Sequence, residues 1–328
     1  MSGLEAAWYR GAAWLWLLRP IEFLFRLLAA VRRGAYGRGL IRAYRSERPV
    51  VIVGNITVGG TGKTPVVIAL VEALKERGLR PGVISRGYGA TAHIATFPHR
   101  VSAASDAADC GDEPLLIQRR TGVPVVVSPR RAEAAKILLA SGDVDVVLSD
   151  DGLQHYALAR DLEIVVIDGQ RGLGNGFCLP AGPLREPASR LRSVDRVIYR
   201  GGDKPDASVT YLPECWINVR TGEARPLDAF AETRDAVAIA GIGQPGQFFA
   251  TLDGLSISAE RRTFPDHHAY TQVDFTGLEN RTILMTEKDA VKCASLAEPG
   301  VGEDAWYLRI DAVLPSSLIE RVVEIAQR

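Results

Sequence analysis

Residues 50–64 read VVIVG-NITVGGTGKT, and this stretch decides the fold. Four β-branched apolar residues followed by a glycine predict a buried parallel strand, Val50–Gly54. A helical apolar pattern starts at Pro65, and Gly78 is its predicted end. The order is a strand, then a glycine-rich loop that ends on a lysine and a threonine, then a helix. This order is typical of a phosphate-binding loop (P-loop).

The loop between this strand and helix is a candidate site for the phosphates of ATP. Its glycines let backbone N–H groups point at phosphate oxygens, and the helix N-terminus favours an anion. We expect Lys63 to reach the β- and γ-phosphates and act in catalysis, and Thr64 to ligate Mg²⁺. In the G-x-x-x-x-G-K-[ST] pattern the first glycine is replaced by Thr57, so we expect Gly59-Gly60 to supply the tight turn. The predicted nucleotide-binding residues are Asn55, Thr57, Val58, Gly59, Gly60, Thr61, Gly62, Lys63 and Thr64.

A second apolar run, 144–148, leads directly to Asp150 and Asp151. In P-loop enzymes such a strand carries the acid that holds Mg²⁺, directly or through water. Either aspartate is a candidate metal ligand, and the sequence does not choose between them. The alternative is that both are turn residues before Gly152.

Further apolar runs alternate with helical patterns, which is typical of a doubly wound, mostly parallel α/β sheet. The runs lie at 83–85, 124–127, 145–150, 164–168, 196–199, 236–241 and 282–286. The texture changes after Gly201-Gly202, where a connecting β-ribbon is predicted. The predicted units are an apolar and basic segment at 1–48, a P-loop kinase core at 49–205, the ribbon at 206–229 and a smaller α/β lobe at 230–328.

Overall composition narrows the function classes. The 328 residues carry a formal net charge of zero, which argues against bulk electrostatic binding of nucleic acid. The four cysteines are far apart and form no C-x-x-C pair, so the sequence suggests neither a zinc site nor a disulfide framework. Isolated cysteines fit a reducing compartment.

The N-terminal segment is a candidate membrane surface. Residues 8–31 are rich in large apolar side chains, but Arg19, Pro20, Glu22 and Arg26 interrupt them, so no run is long enough for a spanning helix. Arginines follow at 32, 33, 38, 42, 45 and 48, and this combination predicts an interfacial helix on anionic lipid. The alternative is an ordinary helix packed on its own domain. We expect Pro20 to break the segment or to start a second helix.

Six more elements occur in order: SRGYG (85–89), GDEP (111–114), SDDGLQH (149–155), LPAGPLREP (179–187), FPDHH (264–268) and TEKDAVK (286–292). Together with the P-loop, this set resembles the tetraacyldisaccharide 4′-kinase (lipid A 4′-kinase) family over nearly the whole chain. The resemblance implies transfer of the ATP γ-phosphate, with Mg²⁺, to the 4′-hydroxyl of a tetraacylated glucosamine disaccharide 1-phosphate. It also implies a monotopic enzyme on the cytoplasmic face of a Gram-negative inner membrane; no obligate protein partner is evident.

The resemblance also assigns roles to residues. It implies that Asp112 is the catalytic base, that His267 from the second lobe supports it, and that Glu113 is a metal-linked acid. The substrate-side contacts it implies are Arg86, Tyr88, Gln154, His155 and Arg185. Asp112 could instead cap a helix or turn before Pro114, and the sequence does not say whether His267 or its neighbour His268 faces the site.

Other P-loop classes are the rival interpretations. A GTPase or metallochaperone-type switch would read guanine through N-K-x-D, which residues 286–289, TEKD, echo without the asparagine and with the lysine beside the aspartate. A soluble small-molecule kinase differs from a lipid kinase in its N-terminus, so the apolar segment is the feature that discriminates the two.

Overall fold

The computed structural model describes residues 3–88, 97–140, 142–202, 206–294, 296 and 301–328; Gly89 of the 85–89 element lies outside them. Its helices are α1 (Gly3–Arg10), α2 (Arg19–Gly37), α3 (Lys63–Lys75), α4 (Ala107–Cys110), α5 (Asp112–Thr121), α6 (Arg131–Leu139), α7 (Pro245–Gly254), α8 (Glu287–Cys293) and α9 (Ser316–Ala326). Its strands are β1 (Val50–Gly54), β2 (Pro81–Ser85), β3 (His99–Val101), β4 (Val125–Val127), β5 (Val146–Asp150), β6 (Leu162–Asp168), β7 (Arg196–Arg200), β8 (Ser208–Asn218), β9 (Ala224–Arg225), β10 (Ala236–Ala240), β11 (Ala259–Thr263), β12 (Thr282–Thr286) and β13 (Ala305–Val313).

The strands of the described residues form one sheet in the order β11-β10-β12-β13-β8-β7-β6-β1-β5-β2-β4-β3, with β9 paired to β8. β1 lies between β5 and β6 and is parallel to both. Antiparallel pairing is confined to β3 with β4, β8 with β13 and β8 with β9. The predicted mostly parallel α/β sheet is therefore confirmed. It places the loop after β1 at the carboxyl edge of the strands, where ligands bind in such sheets.

The strand β8 joins two halves of this sheet. Its first residues pair with the end of β7, and the rest of the strand pairs antiparallel with β13. We call β1–β7 with α3–α6 the first lobe, and β10–β13 with α7 and α8 the second lobe. The predicted ribbon region thus holds the hairpin of β8 and β9, and β8 carries the sheet from one lobe to the other. Sequence patterning did not pick out β3, β11 or β13, which are short, half-exposed or irregular in alternation.

The last helix, α9, does not stay with the second lobe. Its residues Leu318, Val322 and Ile325 are buried in the same apolar cluster as Val67 and Leu70 of α3. The chain therefore ends against the helix that follows the phosphate loop. The domain limits remain a prediction. The predicted division assigns all of 230–328 to the second lobe, whereas α9 packs on the first lobe.

The N-terminal segment packs through few residues. Trp8 and Leu15 are buried, and the Trp8 indole N–H donates a hydrogen bond of 3.0 Å to the carbonyl of Pro180. Pro20 lies in the first turn of α2, so it starts a second helix. Among the described residues of the chain, no helix is both long enough and apolar enough to span a bilayer.

The burial pattern of α2 is inverted relative to an ordinary surface helix. Glu22 is 1% exposed and accepts a hydrogen bond from the Cys178 backbone N–H. Phe25 packs against the core. The other large apolar side chains of the helix point outwards, each 50% or more exposed: Ile21, Phe23, Leu24, Leu27, Leu28 and Val31. An exposed apolar patch of this kind marks an interaction surface.

We predict that Gly54→Ala lowers the free energy of unfolding by about 1–3 kcal/mol, the usual cost of overpacking. A Cβ at Gly54 would lie 2.7 Å from the Leu153 Cβ and 3.2 Å from the Leu153 backbone nitrogen. The measurement is urea denaturation of both proteins. Gly34→Ala in α2, measured in the same way, is the control, because only one atom lies within 4 Å of its added Cβ. A Gly54→Ala protein as stable as the unsubstituted one would contradict the prediction.

Candidate active site

The phosphate loop closes on Gly62, which is the N-cap of α3 and has a φ of +82°. An added Cβ there would lie 2.6 Å from the ring of Tyr211, whose hydroxyl donates to the Gly62 carbonyl. Backbone conformation and close approach therefore both require glycine at this position. Lys63 and Thr64 follow as the first residues of α3, and both are buried.

Asp151 holds the lysine of this loop. Its carboxylate lies 3.4 Å from the Lys63 ammonium and accepts two hydrogen bonds, of 2.9 and 3.1 Å, from the Arg185 guanidinium. Burial would raise the pKa of Asp151, but the charges of Lys63 and Arg185 outweigh it and hold the pKa below its ordinary value. Asp151 also has a φ of +46°, an uncommon conformation for a residue other than glycine. Both of its oxygens are thus committed to cations of the protein.

Asp150 differs from its neighbour. It is fully buried at the end of β5, its Oδ2 accepts a 3.4 Å hydrogen bond from the Ser85 hydroxyl, and its Oδ1 has no hydrogen-bond partner among the described residues. Burial and then the charge of Glu113 raise the pKa of Asp150. An orphaned carboxylate oxygen at the end of β5 fits a nearby divalent cation, which would return this pKa to its usual range.

The described residues contain no cluster of three or more His, Cys, Asp or Glu side chains that could hold a metal ion by themselves. Mg²⁺ in phosphoryl-transfer sites usually keeps waters and binds phosphates, with one or two protein oxygens. Thr64 and Asp150 meet that smaller requirement. Glu113 lines the same cavity but lies 3.3 Å from the Lys288 ammonium.

A carboxylate and an imidazole meet across the two lobes. Asp112 begins α5, and its Oδ2 lies 3.0 Å from Nδ1 of His267, while its Oδ1 accepts a 2.9 Å hydrogen bond from the Glu113 backbone. Burial opposes ionisation of Asp112, yet the hydrogen bond from His267 and the charge of Lys288 lower its pKa to about 2. Since an ionised carboxylate only accepts, Nδ1 of His267 carries the proton. Nε2 lies 3.8 Å from an Asp266 carboxylate oxygen, beyond hydrogen-bond distance, and can accept from another partner.

His267 occupies the exposed side of this pair. Its side chain lines the cavity and its φ is +59°, whereas Asp112 is 4% exposed and does not line the cavity. Burial lowers the pKa of His267, but the hydrogen bond to Asp112 and the charges of Asp112 and Asp266 together outweigh it, so the net shift is upward. His268 points elsewhere: its Nε2 lies 3.2 Å from Asp274 and its ring stacks on Phe264. The structure thus brings His267, and not His268, to the site.

A cavity of about 840 Å³ lies between the lobes and collects most of the predicted residues. Its lining includes the loop from Val58 to Thr64 and all five predicted substrate contacts: Arg86, Tyr88, Gln154, His155 and Arg185. Asn55 and Thr57 are buried beneath the loop and do not line the cavity; the Asn55 amide donates to the Thr57 hydroxyl at 3.4 Å. Both residues therefore support the loop from beneath, and their predicted contact with the nucleotide stays a prediction.

The predicted substrate contacts differ in what they already bind. The Gln154 amide donates to the Asn55 carbonyl at 3.1 Å and to Glu186 at 2.9 Å, so its nitrogen is occupied. Tyr88 is 62% exposed and lies edge-on to His267. Burial, followed by the charges of neighbouring arginines, lowers the pKa of His155 to about 4. At neutral pH the His155 imidazole is therefore uncharged, although arginines surround it in the cavity wall.

Sequence reasoning missed the part of the cavity that the second lobe supplies. Gln244, the N-cap of α7, donates hydrogen bonds of 2.5 Å to the Gly60 carbonyl and 3.1 Å to Asp168. The apolar end of the cavity is lined by Tyr211, Pro213, Phe248, Leu308 and Ile310. These positions come from β8, α7 and β13, and no local motif marks them, because only the closure of the two lobes brings them to the loop.

The aspartate of the TEKD element, the residue that would read guanine, does not line the cavity, although Thr286, Glu287 and Lys288 do. Asp289 is fully buried and accepts hydrogen bonds from the Gly241 backbone, the Tyr270 hydroxyl and the Thr286 hydroxyl. Lys288 lies within 3.6 Å of carboxylate oxygens of Asp112, Glu113 and Asp266. The element thus joins the lobes instead of reading guanine.

Comparison with known proteins agrees with this geometry. A tetraacyldisaccharide 4′-kinase of Pseudomonas aeruginosa strain PAO1 is 53% identical over 313 residues, which are 94% of this chain and 92% of that protein. A protein of the same name from Aeromonas hydrophila is 48% identical over 98% of this chain and 95% of its own length. The crystal structure of the "apo" form of LpxK from Aquifex aeolicus in complex with ATP matches with a TM-score of 0.79 at 29% identity, over 95% of this chain and 99% of that one.

The family model described as tetraacyldisaccharide-1-P 4′-kinase matches residues 14–327. That range includes the phosphate loop, the acids that end β5, and both partners of the contact between Asp112 and His267. The chain therefore belongs to the tetraacyldisaccharide-1-P 4′-kinase family.

Proposed function

We propose that this chain transfers the γ-phosphate of ATP to the 4′-hydroxyl of a tetraacyldisaccharide 1-phosphate, a precursor of lipid A. One observation carries this proposal: Lys63, on the phosphate loop of the first lobe, and His267, from the second lobe, line the same cavity. Phosphoryl transfer needs such a loop for the donor and a proton acceptor for the hydroxyl. No feature of the described residues favours the switch or small-molecule kinase interpretations.

The two ends of the cavity suit the two ends of ATP. The residues from Val58 to Thr64 would receive the phosphates, with Lys63 moving from Asp151 to the β- and γ-oxygens. The apolar end beside Tyr211, Phe248 and Ile310 would take the adenine ring. Thr64 and Asp150 would hold Mg²⁺, with Glu113 nearby, and the bound ion would neutralise charge on the transferred phosphoryl group.

His267 is the proposed proton acceptor, and Asp112 is the group that orients it. The sequence resemblance assigned the base to Asp112, but its burial, its two occupied oxygens and its low pKa make it a poor acceptor for a hydroxyl proton. Nε2 of His267 can take the 4′-hydroxyl proton while Asp112 fixes the tautomer and stabilises the imidazolium that forms. The contact with Asp112 raises the pKa of His267, which makes the imidazole a stronger proton acceptor.

The head group of the lipid is proposed to contact the five predicted residues at the cavity mouth. Arg86 is exposed, and the structure gives it no ion pair within the described chain, so it can meet an anionic group of the lipid. Arg185 and Lys63 share the partner Asp151, and this supports a position for Arg185 on the side of the transferred phosphoryl group. Gln154 supports the strand end before the loop, and its oxygen remains as a possible acceptor.

The membrane surface is proposed to lie against α2. The apolar residues of this helix are exposed while its glutamate is buried, which is unfavourable in water and favourable at a lipid interface. The helix also borders the proposed head-group site, because Tyr36 stacks on Tyr156 with ring centroids 6.2 Å apart and the charge of Arg32 acts on His155. We propose the cytoplasmic face of the inner membrane, where ATP is present.

Transfer of label from γ-labelled ATP to a detergent-dispersed tetraacyldisaccharide 1-phosphate is the first prediction. With Mg²⁺ present, the protein should label the lipid, and Lys63→Ala should abolish transfer because it removes the charge that binds the phosphates. Lys75→Ala is the matched control, since Lys75 lies on the same helix and pairs with the exposed Glu72. Absence of labelled lipid from a protein that binds ATP would rule out the proposed substrate.

The pH dependence of kcat/KM distinguishes the two candidate bases. With His267 as the acceptor, the rate should rise through a pKa above the ordinary histidine value, because protonated imidazole cannot accept. Asp112→Asn should move this rise in kcat/KM to lower pH. His267→Ala should abolish the rise and lower kcat on the order of 10²–10⁴-fold. A rise that persists in His267→Ala would return the base role to Asp112.

Replacing Phe23, Leu24, Leu27 and Leu28 together by serine should lower partition onto anionic phospholipid vesicles on the order of 100-fold or more, since each large apolar side chain contributes about 1.5–3 kcal/mol when fully buried. Sedimentation with the vesicles measures this. The control replaces the equally exposed Leu212 and Val273 by serine. Unchanged partition of the α2 variant would show that this surface does not meet lipid.

A further inference from the structure

The helices α5 and α8 meet where the two lobes face each other. In the last turn of α5, Nη1 of Arg120 donates hydrogen bonds of 3.0 and 2.8 Å to the two carboxylate oxygens of Glu287, the first residue of α8. Nη2 of Arg120 also donates to Asp311 on β13. The side chains of Arg120 and Glu287 are 9% and 12% exposed. A buried ion pair therefore ties the first lobe to two elements of the second.

The next residue of α8 contacts the other end of α5. The Lys288 ammonium lies 3.6 Å from Asp112 and 3.3 Å from Glu113, the first two residues of α5. At 1.5 Å per residue, Asp112 and Arg120 are about 12 Å apart along the helix. Adjacent residues of α8 therefore hold α5 at two separated points. One contact would leave the helices free to pivot, whereas two fix both their sliding and their rotation.

These contacts form a closed circuit with the proposed base. Lys288 lies 3.4 Å from Asp266, the residue before His267, and His267 returns to Asp112 at the start of α5. The circuit runs from Asp112 along α5 to Arg120, across to Glu287 and Lys288, and back through Asp266 and His267. A displacement of α8 relative to α5 is thus transmitted to the distance between His267 and Asp112.

We propose that Arg120 and Glu287 are positioning residues whose ion pair sets the register of the two lobes and so presents His267 to Asp112. This inference rests on the proposed function, in which that contact prepares the proton acceptor. Glu287 belongs to the TEKDAVK element and lines the cavity, whereas Arg120 lies in none of the quoted elements and does not line the cavity. A displacement of about 1 Å at a catalytic contact lowers rates on the order of 100-fold.

The burial of the pair favours geometry over stability as its role. Burial raises the pKa of Glu287 even against the opposing charge of Arg120. Ion pairs in such surroundings add little net stability compared with apolar residues of similar size, but they demand one arrangement of their partners. An interface that only had to hold the lobes together would be served as well by apolar contacts.

The test is a double-mutant cycle on the full-length protein, read as the single-turnover rate of phosphate transfer to the lipid. Glu287→Gln and, separately, Arg120→Lys should each lower the rate 10- to 100-fold. In the His267→Ala background the same changes should alter the rate less than twofold, because the residue through which they act is gone. Glu260→Gln is the control, since it breaks a 2.6 Å ion pair with Arg281 inside the second lobe, and it should change neither rate.

A second measurement needs no lipid substrate and separates failure of this inference from failure of the proposed function. In Glu287→Gln, NMR titration should show the pKa of His267 falling towards the ordinary histidine value as its contact with Asp112 loosens. An unchanged pKa would overturn the inference whatever the activity. Equal rate losses in both backgrounds of the cycle, or an unchanged rate in Glu287→Gln, would overturn it as well. The thermal unfolding of each variant is measured as well, so that a loss of folded protein is distinguished from a displacement of His267 relative to Asp112.

Discussion

The hydrogen bond between Asp112 and His267 is the contact on which the functional geometry of this chain depends. Its partners lie on different lobes, 155 residues apart in sequence. It exists only because β8 carries one sheet through both lobes and because α5 and α8 lie side by side. The phosphate loop is complete within the first lobe, but His267 comes from the second lobe, and the apolar end of the cavity comes from β8, α7 and β13. The lobes must therefore be in register before donor and acceptor share one space.

Charge in the site is arranged in two compartments. Around the phosphate loop, Asp151 pairs with both Lys63 and Arg185, so two cations lie beside the proposed position of the transferred group. Around His267, Lys288 balances Asp112, Glu113 and Asp266. Asp150, between these compartments, keeps a buried oxygen without a hydrogen-bond partner among the described residues. Adjacent aspartates in one motif thus have different surroundings and different chemistry.

The N-terminal segment has the opposite burial pattern from the core. In the lobes, apolar side chains are buried and charges sit at the edges, as water requires. In α2, the apolar side chains are exposed and Glu22 is buried between Arg19 and Arg26. This helix is anchored by Trp8 and Leu15 at its start, and it lies beside the wall formed by Tyr156 and His155. The exposed apolar surface of α2 and the wall that is proposed to contact the head group are therefore continuous.

The sequence by itself determined the parallel sheet, the phosphate loop and the two acids after β5, because each depends on neighbouring residues: a β-branched run, glycines ahead of Lys63, and the period of the following helix. It also placed Asp112 and His267 in named elements through the family resemblance. Only the tertiary structure decided that His267 faces the cavity, that Asp151 pairs with Lys63 while Asp150 does not, and that Gln244 and Arg120 join the lobes. Those outcomes depend on burial and on distances between residues far apart in the chain, and no local pattern of side chains encodes which distant partner a buried charge will meet.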